Sequence, residues 1–68
     1  MNAAIRVNGV QEALDAASLS DLLRARGIAR PRGVAVAVNG AVVPASAWDE
    51  TTLAAGDEIE IVRPFGGG

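Results

Sequence analysis

The chain predicts an α+β domain in which a mixed sheet of four to five short strands is covered by one helix. Three observations carry that reading. Apolar residues alternate with period two around Ile5–Val7, Val34–Val38 and Ile59–Ile61. One segment, Leu19–Leu23, switches to helical spacing, and two Asn-Gly pairs, Asn8-Gly9 and Asn39-Gly40, mark hairpin turns between strand-like blocks.

The first strand covers residues 3 to 8, with Ile5 and Val7 on one face and Ala4 and Arg6 on the other. Asn8-Gly9 turns it back into Val10–Leu14, whose mixed polarity suits an edge strand. Ser18-Leu19-Ser20-Asp21 fits a capping box: Ser18 accepts from first-turn amides and Asp21 reaches back. The helix therefore starts at Leu19, with Leu19, Leu22 and Leu23 as its apolar stripe and Arg24 and Arg26 in solvent near its negative end. Gly27 supplies a left-handed terminator, after which Ile28 folds back toward Leu23, so the helix is about two turns long.

Arg30-Pro31-Arg32-Gly33 reads as a loop. Val34, Val36 and Val38 then alternate with Ala35 and Ala37, and a strand with small alanines on its second face can be covered on both sides. Asn39-Gly40 returns the chain through Ala41–Val43, and Pro44 stops the pairing. Ala45–Ala55 has no clean period; Trp48 and Leu53 are expected to plug the core edge from a short helical turn or loop. After the Gly56-Asp57 turn, Glu58–Arg63 is a strand with Ile59 and Ile61 inward and Glu58, Glu60 and Val62 outward. Pro64 lacks an amide donor and ends the ladder. This element order is compatible with a β-grasp, in which the first and last strands lie side by side.

The sequence closes on Gly66, Gly67 and Gly68. Ordering a residue costs roughly 1 to 2 kcal/mol and glycine more than most, so such a tail adds no stability to the fold. Lacking Cβ atoms, it can lie in a channel too narrow for any other residue, and it ends in an ionised carboxylate, a chemical handle. The expected division is a domain over residues 1–65 and a flexible tail over 66–68. On the triplet alone, a functional tail and a frayed end stand level.

Composition removes whole classes of chemistry. At 68 residues the chain is near the lower limit for folding on one core, with no room for a catalytic cleft. It contains neither cysteine nor histidine, which excludes thiolate nucleophiles, histidine relays and ordinary zinc sites. No catalytic residue and no metal ligand set is therefore expected. Absence of disulfides fits a reducing cytoplasm, and Arg6 and Glu12 interrupt any secretory signal. No stretch is long enough for a membrane span. A net charge of −2, with Trp48 and Phe65 as the only aromatics, disfavours nucleic acid.

The remaining polar clusters have plain readings. Arg24, Arg26, Arg30 and Arg32 read as a solvated helix end before they read as a contact patch. Asp49-Glu50, Asp57-Glu58 and Glu60 read as surface solubility, since glycosidase or metal chemistry needs a cleft. Trp48 reads as core or edge covering. Phe65 lies beyond Pro64, outside the expected sheet, where exposure suits partner contact.

Taken in order, several pieces resemble the small ubiquitin-like sulfur carriers, most closely the ThiS family of thiamine biosynthesis. They are Val7-Asn8-Gly9, Leu19 to Leu23, Val34-Ala35-Val36-Ala37-Val38-Asn39-Gly40, Val43-Pro44 with Trp48, Leu53-Ala54-Ala55-Gly56-Asp57-Glu58-Ile59 and the closing glycines. The resemblance implies a ubiquitin-like β-grasp and a protein cosubstrate that is not itself a catalyst. It implies that a ThiF-like adenylating enzyme uses ATP and magnesium to turn the Gly68 carboxylate into an acyl adenylate. A sulfur donor protein then displaces AMP to leave a thiocarboxylate, and a ThiG-like thiazole synthase receives the sulfur. By the same resemblance Gly66 and Gly67 are the part of the tail inserted in the partner, and Phe65 and Val62 belong to a docking surface. No cofactor is bound by the carrier itself. Family members usually end in two glycines where this chain has three.

Two other readings remain. The small subunit of molybdopterin synthase shares this chemistry, as do carriers serving tRNA thiolation or cysteine synthesis; the short second hairpin, Val43-Pro44 with Trp48, and Arg63-Pro64-Phe65 favour the thiamine branch. The other is a ubiquitin-like interaction module with an inert tail.

Overall fold

The computed structural model describes residues 3–28 and 33–63. In chain order its elements are β1 (Ala4–Val7), β2 (Val10–Ala13), helix α1 (Leu19–Ala25), β3 (Ala35–Val38), β4 (Ala41–Val42), a 3-10 helix (Ala45–Glu50) and β5 (Glu58–Val62). The expected boundary between residues 65 and 66 lies outside the described residues.

Both hairpins form where the Asn-Gly pairs predict them. Asn8 and Asn39 each have φ 52°, and Gly9 and Gly40 each have φ 84°. Two successive left-handed residues make a type I′ turn, whose twist matches that of the strands it joins. The consequence is tight antiparallel pairing of β1 with β2 and of β3 with β4.

The two hairpins do not pair with each other. The last strand enters between them, giving the order β2-β1-β5-β3-β4, with β5 parallel to β1 and antiparallel to β3. This mixed sheet with one α-helix packed on it is the ubiquitin-like β-grasp, and β2 lies at an edge as its mixed polarity predicts. Alternation then sorts the side chains. Ile5, Val7, Val36, Ile59 and Ile61 point to one face and are buried with Leu19, Leu22, Leu23 and Ile28 of the helical segment. Trp48 and Leu53 close the same core from the 3-10 helix and the loop after it.

The ends of α1 follow from local chemistry. Ser18 is extended and its Oγ accepts the Asp21 amide at 3.2 Å, which satisfies one of the free first-turn donors. At the other end Gly27 adopts φ 80°, its amide bonds the Arg24 carbonyl at 3.0 Å, and the Ile28 amide bonds the Leu23 carbonyl at 2.9 Å. That paired closure is a Schellman motif, and it drops Ile28 into the core beneath Leu23.

Three expectations need correction. The reciprocal half of the capping box is replaced: Asp21 faces Arg24 at 3.5 Å, a neighbour three residues on along the same helix face. Arg26 does not simply project into water, since its guanidinium pairs with Glu12 of β2 and ties the helix end to the sheet edge. The second face of β3 is not covered either. Ala35 is exposed and Ala37 half-buried, because both helical elements pack on the opposite face of the sheet. Small side chains there mark an open surface instead of a second layer.

Candidate functional site

The site follows from where β5 runs. It is the central strand, bonded on both sides, and its residues alternate strictly between the core and the open face. Ile59 and Ile61 are buried, while Glu58, Glu60 and Val62 are exposed. Val62 is the last residue of the strand and 64% exposed. The last strand of the chain therefore lies in the middle of the sheet and ends on an outward valine.

Register shows what surrounds that valine. Val62 lies opposite Ala35, Glu60 opposite Ala37, and Ala37 opposite Val42, which is 77% exposed. Directly opposed residues of antiparallel strands share a face. Ala35, Ala37, Val42 and Val62 therefore form a small apolar patch on the open face, bordered by Glu60 opposite Ala37. The same face is charged toward the start of β5, where Arg6 and Glu58 sit 4.0 Å apart with Glu60 beyond them. Of the predicted site residues, Val62 is exposed on the open face of the sheet, opposite Ala35. Phe65, Gly66, Gly67 and Gly68 lie outside the described residues.

Two functional-looking side chains were legible only as turn formers. Asn39 accepts the Glu58 amide with its Oδ1 at 3.0 Å and donates its Nδ2 to the Asp57 carboxylate at 3.0 Å. Asn8 accepts the Ile61 amide at 2.8 Å and donates to the Ile61 carbonyl at 3.2 Å. Each asparagine therefore turns a hairpin and clamps the central strand. The available signal was that both turns use asparagine, which tolerates left-handed backbone and also carries a planar donor and acceptor.

The other candidates take structural places. Trp48 is buried and its Nε1 donates to the Val43 carbonyl at 2.9 Å, so it covers the core edge as expected. Asp57 holds its own turn, accepting the Ala54 amide at 2.9 Å. Among the described residues no group of three acidic side chains is arranged to hold a metal ion, and no helix is long and apolar enough to cross a membrane.

Comparison with known proteins agrees with this architecture along the whole chain. The family profile described as the ThiS family matches residues 2–68. A crystal structure of a thiamine biosynthesis protein (ThiS) from Geobacter metallireducens is 37% identical, with a TM-score of 0.75 over 96% of this chain and 99% of that one. A solution structure of a thiamine biosynthesis protein from Geobacter metallireducens has the same identity and TM-score, covering 100% of this chain and 88% of that one. Curated protein sequences give no match.

Proposed function

The chain belongs to the ThiS family, and from that premise we propose that it is a sulfur carrier of thiamine biosynthesis whose working group is the Gly68 carboxylate. The observation that carries the reading is the family match over residues 2–68, which includes the closing glycines. The central position of β5 and the apolar patch beside its end support it.

The chemistry starts from a poor electrophile. A carboxylate resists attack, so its oxygen first attacks the α-phosphorus of ATP, with magnesium and the triphosphate held by an adenylating partner and pyrophosphate leaving. The acyl adenylate is a mixed anhydride and reacts readily. A hydrosulfide equivalent from a donor protein then forms a C–S bond as the C–O bond to AMP breaks, leaving a C-terminal thiocarboxylate. Thiazole synthase takes the sulfur from there.

The carrier supplies shape instead of catalysis. Gly66 and Gly67 are narrow enough to thread the partner's channel, because neither has a Cβ. Val62, with Ala35, Ala37 and Val42, and Phe65 beyond it, provide the apolar ground on which the partner docks, while β5 anchors the tail to the rigid sheet. This division lets one tail visit two enzymes in turn.

Intact-mass measurement of the protein purified from its own host tests the proposal. Sulfur in place of one oxygen, localised to Gly68, is the expected result. A plain carboxylate that persists after incubation with ATP, magnesium, a sulfur donor and the host's adenylating enzyme would overturn it.

A further inference from the structure

The two asparagine clamps hold β5 at opposite ends, and only one of them lies next to the tail. Asn39 fixes Glu58, the first residue of the strand. Asn8 fixes Ile61, followed by Val62 and Arg63, the last described residues before the glycines.

The need for the Asn8 clamp is geometric. In a strand both polar groups of a residue point to the same side, and those of Ile61 point toward β1. But β1 has already turned away: its backbone ladder with β5 ends where the Asn8 amide bonds the Ile59 carbonyl at 2.9 Å. The Asn8 carboxamide offers one acceptor and one donor in a plane, as a peptide edge does, and takes both Ile61 groups. It prolongs the parallel ladder by one step beyond the end of its own strand.

We propose that Asn8 is a positioning residue for sulfur loading, holding in place the final ladder step of β5, the strand that precedes the closing glycines in sequence. The role rests on the carrier reading above. Asn8 touches no reacting atom; it acts through the Ile61 backbone. A carboxylate that must meet the α-phosphorus within contact distance is sensitive to its anchor, since a displacement of about 1 Å at a reacting centre can cost on the order of a hundredfold in rate.

Asn39 supplies the control, because it has the same φ of 52°, the same type of turn and the same number of side-chain bonds to the strand region. Asn8→Gly and Asn39→Gly each keep a residue at ease in left-handed backbone and remove the side chain that carries the carboxamide, with the same loss of Cβ at both positions. Adenylation of each carrier by the host's adenylating enzyme is followed by ATP–pyrophosphate exchange, with kcat and KM resolved, after circular dichroism confirms folding. Asn8→Gly is expected to lower kcat about tenfold with KM within about twofold, because the docking patch is intact, while Asn39→Gly leaves both within about twofold. Asn8→Asp, which retains the acceptor for the Ile61 amide and loses the donor, is expected to fall between wild type and Asn8→Gly. Amide exchange at Ile61, which needs no partner, is expected to speed up in Asn8→Gly and not in Asn39→Gly. Equal kinetic effects of the two glycine variants, or an unchanged kcat in Asn8→Gly, would overturn the positioning role while the carrier reading stands. A wild-type protein that is never adenylated would overturn both.

Discussion

Gly27 shows how much a single backbone position can decide. At φ 80° it closes α1, and a Cβ built there meets nothing within 4 Å, so the obstacle to substitution is torsional and not steric crowding. Gly27→Ala should therefore destabilise the fold by about 1 kcal/mol, and Gly27→Asn by less, measured by urea unfolding. Leu23 makes the opposite case. It is 1% exposed beneath the Schellman closure, and truncating it leaves a void between helix and sheet. Leu23→Ala should cost about 3 kcal/mol, comparable with the entire stability of a domain this small, so the variant is expected to be largely unfolded at 37 °C by circular dichroism. Sequence spacing identified both residues. It did not reveal the second task of Asn8 and Asn39, because their partners Ile61 and Glu58 lie 53 and 19 positions away in sequence.

At the scale of elements, α1 is short and depends on its ends. Seven residues give too few internal bonds to make a stable isolated helix, so caps and packing carry it. Ser18→Ala removes the acceptor for the Asp21 amide and should destabilise by about 1 kcal/mol, read from the urea midpoint at unchanged slope. The Arg26 pairing with Glu12 joins helix to edge strand, yet both side chains are 35% exposed. A double-mutant cycle on this pair should give about 0.5 kcal/mol at low salt and less as ionic strength rises. The capping serine was readable because a cap is local. The Arg26–Glu12 tie was not, because it depends on how the helix is laid across β2.

The whole molecule turns on β5. Without it the remaining strands are two hairpins that share no backbone pairing, each too small to be stable alone. A chain stopped after Gly56 should therefore lack a cooperative thermal transition, whereas removal of all three closing glycines, Gly66 to Gly68, should leave that transition in place and abolish adenylate formation. The open face gives a second contrast. Val62→Asp changes an exposed side chain and should alter stability by no more than about 0.5 kcal/mol. It should raise the KM of the adenylating partner for the carrier severalfold, a loss of docking separable from any loss of fold.

The sequence by itself determined the elements and most of their faces. Strand alternation, the leucine stripe, the Ser18 cap, the Gly27 stop and both Asn-Gly turns act between residues near one another in the chain, so their patterns are written in order along it. The closing glycines were likewise plain to read. The tertiary structure decided what those elements do for each other: that β5 enters between two hairpins, that the alanine face of β3 stays open beside Val62, and that Asn8 completes the ladder of Ile61. Such features arise when segments distant in sequence compete for the same hydrogen bonds and the same apolar surface, and packing of the whole chain settles that competition.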